Sequence, residues 1–221
     1  MNKLSIQILL LISVLFLTVN CSTTKNNKPL VEKELIKLVP SNVATSDFVD
    51  PKQTKWVDSI FSNMTFDEKI GQLFMVAAYS NKDSVHYNAI DKLVSKYKIG
   101  GLIFFQGGPV RQANLTNRYQ SQAKVPLFIG IDAEWGLSMR LDSVSRFPWN
   151  MTLGAIQNLD LMEKVGSAYG VQSKRIGVHF NFAPVLDINT NPKNPIIGTR
   201  SFGENKINVT DRALALMKGV Q

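Results

Sequence analysis

The sequence predicts an α/β fold built on a parallel sheet, and three observations predict it. Short, nearly continuous apolar runs recur along the chain, as in Gly101-Leu-Ile-Phe-Phe-Gln106 and Pro126-Leu-Phe-Ile-Gly-Ile-Asp132. Helical stretches separate these runs, so successive strands lie parallel and helices cover the sheet on both faces. Two of the runs end in a carboxylate, Asp132 and Asp187. That placement suits the mouth of a (β/α) barrel, where polar groups collect at the C-terminal ends of the strands. About four βα units can be read, against the eight units and about 250 residues of a closed barrel. Periodicity leaves two architectures open: a small doubly wound sheet, complete as it stands, or the first half or so of a barrel.

The elements follow in order. Val57, Ile60, Phe61 and Met64 fall at helical spacing, and the globular pattern begins near Trp56. Thr65-Phe-Asp-Glu68 has the form of a capping box, a hydroxyl followed three residues later by an acid, and starts a helix through Lys69 to Leu73. Leu73 to Ala78 is a first apolar strand, Ser84 to Lys98 an amphipathic helix, and Gly101 to Gln106 a second strand bounded by glycines. Val110 to Ala123 is a polar helix and Pro126 to Asp132 a third strand. Leu159 to Arg175 is a long helix, Val178 to Val185 a fourth strand, and Asn208 to Val220 a last helix.

The segment before these elements reads as targeting and tether. Lys3 precedes an almost wholly apolar run, Ile8 to Val19, which is short of the about 20 residues of a membrane span. Cys21 follows it and is the single cysteine, so the chain forms no internal disulfide. A lone cysteine just after such a run resembles the lipid-modified residue of a bacterial lipoprotein, with Leu17-Thr18-Val19-Asn20 as a loose form of the preceding signal. The expectation is therefore a signal peptide over residues 1–20, a polar tether over 21–55 punctuated by Pro29, Pro40 and Pro51, and a protein held at the cell envelope by a lipid on Cys21. Net charge is +8, from 25 basic and 17 acidic residues among 221. The basic residues are scattered and form no polybasic run, so nucleic acid is not an expected partner. A basic surface facing anionic envelope polymer or lipid accounts for the charge.

The residues that carry chemistry cluster at strand ends. Asp132 and Glu134 are two acids two positions apart, placed to accept hydrogen bonds from hydroxyl groups, and Arg140 lies within reach of the same ligand. Asp132 is also free to pair with Arg140 or Arg200. Asp187 ends the fourth strand and is expected to orient Arg200, which sits between Gly198 and Gly203 and suits bidentate contact with a carboxylate or a sugar. His179, inside an apolar strand, reads as a satisfied core histidine, and His86 receives no function. One cysteine and two separated histidines have no metal-ligand spacing. The paired glycines at 100–101 and 107–108 lack the order of a phosphate loop, and a Gly-x-Ser-x-Gly elbow is absent. No cofactor is implied.

Five segments carry a family resemblance: Met64-Thr-Phe-Asp-Glu-Lys-Ile-Gly-Gln-Leu73, Ile99-Gly-Gly-Leu-Ile-Phe104, Pro126-Leu-Phe-Ile-Gly-Ile-Asp-Ala-Glu134, Phe182-Ala-Pro-Val-Leu-Asp187 and Ile197-Gly-Thr-Arg-Ser-Phe-Gly-Glu204. In this order and spacing, residues 64–221 resemble the N-terminal barrel domain of glycoside hydrolase family 3, in its β-N-acetylhexosaminidase branch. The resemblance implies a (β/α) barrel of TIM type, present here in its first half or so over residues 56–221. It implies a retaining exo-glycosidase acting on terminal β-linked sugars such as N-acetylglucosamine from peptidoglycan, with Asp132, Arg140 and Arg200 at substrate-binding positions.

The chain departs from the family pattern in two ways. Where the family commonly reads Gln-Glu-Gly-Gly-Arg after the Asp, Ala133, Trp135 and Leu137 replace the Gln, the first Gly and the Arg; Trp135 adds bulk and a stacking face. The family's nucleophile Asp and its acid/base His lie beyond the matched region, the His after a Lys-His-Phe-Pro-Gly-His segment that does not occur here. No residue of this chain is therefore named catalytic, and the expectation is an incomplete glycosidase, inactive by itself. The alternative is a non-catalytic sugar-binding lipoprotein.

Overall fold

The computed structural model describes residues 50–221. The signal peptide, Cys21 and nearly all of the expected tether lie outside the described residues. Helix α1, Pro51–Ser62, begins inside the segment read as tether and carries Val57, Ile60 and Phe61 at the expected spacing, yet it buries none of its residues. Helix α2, Phe66–Gly71, starts on the expected capping box: the Thr65 hydroxyl accepts from the Glu68 amide at 3.2 Å, and the Thr65 amide donates to Glu68 at 3.0 Å.

Four strands follow, β1 (Met75–Tyr79), β2 (Gly101–Gln106), β3 (Phe128–Ile131) and β4 (Phe180–Asn181). They pair in parallel in the order β1-β2-β3-β4. This order decides between the two architectures. A doubly wound sheet reverses its strand order at a switch point, whereas sequential winding in one direction is the start of a (β/α) barrel. The helices are α3 (Ser84–Ser95), α4 (Pro109–Gln120), the short α5 (Asn150–Leu153), α6 (Leu159–Arg175) and α7 (Lys206–Val220).

Each strand turns alternate residues to opposite faces, and the two faces differ. One face packs Ala78, Leu102, Phe104 and Ile129 against Ile90 and Val94 of α3 and Leu115 and Tyr119 of α4. The opposite face carries Met75, Phe128, Phe180 and Phe182, all exposed. The expectation that helices cover both faces is thereby corrected. Sequential winding keeps the packed helices on one side and leaves the other as the concave face of a curved sheet.

A second core lies between α6 and α7, where Met162, Tyr169, Val209, Ala213 and Leu216 are buried. The two helices approach closely because of Gly166: a Cβ there would sit 2.1 Å from the Leu216 carbonyl oxygen. The fourth strand is shorter than the apolar run Val178 to Val185 predicts. Phe182 still donates to the Ile131 carbonyl at 2.9 Å, but Pro184 has no amide to donate, and the chain leaves the ladder. His179 is likewise corrected. Its Nδ1 accepts from the Ile129 amide at 3.0 Å, so it is satisfied, but it is exposed because β4 lies at the sheet edge.

Candidate sugar-binding site

Two strand ends and one returning loop form the site. The loop after β3 places Asp132, Glu134 and Arg140; the segment after β4 places Asp187; and the 3-10 turn Gly198–Arg200 brings Arg200 back toward β3. Asn181 at the end of β4 holds the β3 loop in position. Its side-chain oxygen accepts from the Ala133 amide at 3.0 Å, and its side-chain nitrogen donates to the Ala133 carbonyl at 3.2 Å. An amide side chain thus continues the ladder where the backbone pairing stops.

Two ion pairs define the chemistry. The Arg140 guanidinium donates to Asp132 Oδ2 at 2.5 Å and also to the Asp132 carbonyl, so one planar fork fixes both the backbone and the side chain at the strand end. Arg200 Nε donates to Glu134 Oε2 at 2.9 Å and Nη2 donates to Oε1 at 2.7 Å, a bidentate pair across 66 positions of sequence. The Glu134 side chain is 5% exposed and that of Arg200 35%. The hydrogen bond to Glu134 raises the pKa of Arg200 above its ordinary value, with Asp187 and Asp132 adding to it.

Asp132, Glu134, Asp187 and Arg200 line one cleft of about 420 Å³ together with Ile103 and Phe182 from the concave face. Three carboxylates and one guanidinium line the cleft, with Arg140 paired to Asp132, so the local charge is acidic although the chain is basic. Asp132 Oδ1 has no hydrogen-bond partner among the described residues. Arg200 keeps N–H groups on Nη1 and Nη2 beyond those used by Glu134 and by the Ile196 carbonyl. The cleft therefore offers a charged acceptor beside charged donors, the arrangement that grips a polyhydroxylated ring. A larger cavity of about 830 Å³, bounded by α2, β1 and α3, contains none of the candidate residues.

Of the three binding residues read from the sequence, Asp132 and Arg200 line the cleft, and Arg140 is tied to it through its ion pair with Asp132. Asp132 pairs with Arg140, one of the two partners expected for it. Asp187 is placed differently. It lines the cleft, but its side chain does not hold Arg200; its carbonyl accepts from the Ser201 hydroxyl at 2.5 Å and so anchors the returning loop. Glu134 does the orienting instead of gripping hydroxyls, because it turns inward and Arg200 reaches it. The spacing of Asp132 and Glu134 flagged both acids, but no sequence signal pairs Glu134 with a residue 66 positions away.

Residues 65–221 match the glycosyl hydrolase family 3 N terminal domain. Among curated relatives, β-hexosaminidase A of Pseudoalteromonas piscicida is 39% identical over 145 residues, covering 60% of this chain and 24% of that protein. Among solved structures, a family 3 β-N-acetylglucosaminidase from Paenibacillus is 34% identical with a TM-score of 0.64, over 72% of this chain and 31% of that one. β-Glucoside phosphorylase BglX superposes with a TM-score of 0.72 at 23% identity, over 78% of this chain and 31% of that one, a likeness of fold. This chain thus spans less than a third of the length of each of these proteins, and by its sequence match and its sequentially wound parallel sheet it belongs to the N-terminal domain family of glycosyl hydrolase family 3.

Proposed function

We propose that this chain supplies the sugar-gripping part of an exported β-N-acetylhexosaminidase-like glycosidase, which removes terminal β-linked sugars such as N-acetylglucosamine in cell-wall recycling. The observation that carries the reading is the cleft itself, with an Asp132 carboxylate oxygen that has no partner among the described residues beside an Arg200 guanidinium locked by buried Glu134. Relatives named β-hexosaminidase and β-N-acetylglucosaminidase support the sugar class.

Asp132 Oδ1 accepts from a ring hydroxyl, and Arg200 donates to a neighbouring hydroxyl oxygen. Arg140 holds Asp132 still, so little side-chain entropy is lost when the sugar arrives. A retaining glycosidase breaks the bond with two groups about 5–5.5 Å apart. No residue of this cleft is assigned either part, and the contribution of this chain is recognition of the terminal ring. A lipid on Cys21 would keep this activity at the envelope.

Calorimetric titration and an aryl β-N-acetylglucosaminide assay test the reading together. The 221-residue chain is expected to bind N-acetylglucosamine and to release no aryl alcohol. Turnover by the chain alone would overturn this division of labour, and absence of sugar binding would overturn the site.

A further inference from the structure

Arg200 is held at both ends, and its backbone end is held by a residue that does not line the cleft. Its guanidinium pairs with buried Glu134. Its carbonyl accepts from the Asn150 side-chain nitrogen at 2.8 Å. Asn150 opens the short helix α5, lies 50 positions earlier in the chain and is fully buried.

Three further contacts tie α5 to the loop that carries Arg200. Gly154, directly after α5, lets the Phe202 carbonyl approach, since a Cβ there would sit 1.8 Å from that oxygen. The Asn208 side-chain nitrogen donates to the Gly154 carbonyl at 3.2 Å and to the Phe202 carbonyl at 3.3 Å. Leu153 and Phe202 are buried in one apolar cluster. Helix α5 is thus a cradle for the returning loop, and the Asn150 amide is the group through which the cradle reaches Arg200.

Packing alone does not account for an asparagine here. Its nitrogen faces a carbonyl acceptor, which fixes the direction of the amide. Its oxygen is then buried without a partner among the described residues. A buried acceptor left unpaired opposes folding, and an apolar side chain would avoid that penalty. An apolar side chain would not hold the Arg200 carbonyl. The turn would keep its internal bond from the Arg200 amide to the Ile197 carbonyl, at 2.8 Å, but would lose its tie to α5.

We infer that Asn150 is a positioning residue of the sugar site: it fixes the Arg200 backbone so that the guanidinium reaches Glu134 and a ring hydroxyl together. A binding group whose supporting residues hold it in place loses less freedom when the ligand arrives. The inference rests on the cleft binding a sugar, and it adds that affinity is set partly by a residue outside the cleft lining.

Calorimetric titration with N-acetylglucosamine, combined with the NMR signal of the Arg200 Nε–H group, tests the inference. Loss of that signal in Arg200→Lys assigns it. Asn150→Ala is expected to bind about tenfold more weakly than the parent chain, the scale of one hydrogen bond, and to move or broaden the Arg200 signal. Asn150→Ser keeps a hydroxyl donor and is expected to recover part of both. Parental affinity in Asn150→Ala overturns the positioning role and leaves the cleft standing. Weaker binding with an unmoved Arg200 signal also overturns it, because the loss then does not pass through Arg200. If Asn150→Ala does not fold, the same two readouts on Asn150→Ser decide, with a smaller loss expected and parental affinity overturning the role. Failure of the parent chain to bind the sugar overturns the cleft and the positioning role with it.

Discussion

Arg200 and Glu134 form a bidentate ion pair in which the carboxylate is nearly buried and the guanidinium is about a third exposed. The two partners therefore do not have equal consequences. Arg200→Ala strands a buried charge and is expected to cost about 3 kcal/mol of folding stability. Glu134→Gln leaves an arginine that water still reaches and is expected to cost about 1 kcal/mol. Urea denaturation of both variants tests the order, and equal losses would contradict the burial difference.

Asp132→Asn removes the charged acceptor while keeping the shape of the side chain. Sugar affinity is expected to fall about tenfold, the equivalent of about 1.4 kcal/mol for one charge-assisted hydrogen bond. Arg140→Ala removes contacts to both the Asp132 carboxylate and the Asp132 carbonyl, so only the carboxylate part of its effect should vanish in the Asp132→Asn background. Titration calorimetry on the double-mutant cycle measures that coupling.

His86 makes the fold sensitive to acid. Its Nε2 accepts from the Tyr79 amide at 3.2 Å, which only the neutral ring can do. Burial, with Lys82 adding to it, lowers its pKa below 6.5. The folded state then binds fewer protons than the unfolded state between the lowered value and 6.5, so stability is full above that window and falls as pH drops through it. Denaturation midpoints measured between pH 7 and 5 should decline, and His86→Gln should flatten that decline.

Gly166→Ala tests the α6–α7 contact. The added Cβ meets the Leu216 carbonyl oxygen at 2.1 Å, which forces the helices apart. The overpacking cost of about 1–3 kcal/mol exceeds the gain of about 1 kcal/mol in helix propensity. A lowered melting temperature is expected, and a raised one would show that the helices separate freely.

Cys21→Ser tests the proposed anchor. The parent chain, expressed from Met1 in a bacterium that lipidates exported proteins, is expected to fractionate with membranes and to take up labelled fatty acid. The variant should lose both properties, and retention of the label would place the modification elsewhere.

The local chemistry of the chain was legible in its sequence. Apolar runs separated by helical spacing marked β1 to β4 and the long helices, because burial in a parallel sheet demands such runs. Thr65 and Glu68 announced their capping box because its partners are three residues apart. Arg140, eight residues from Asp132, was one of the two partners expected for it. The short α5 was not seen, since four residues from Asn150 to Leu153 hold barely one helical turn and no periodicity.

What only the tertiary structure decided is which distant groups meet. The strand order, and with it the barrel-type winding, depends on where each crossover returns, a property that periodicity does not contain. The pairing of Arg200 with Glu134 rather than Asp187 depends on the path of the loop that Ser201 ties to the Asp187 carbonyl. Each is a long-range relation set by the packing of whole elements. The sequence by itself determined the elements, the capping and the residue types at the strand ends; their assembly into one cleft came from the fold.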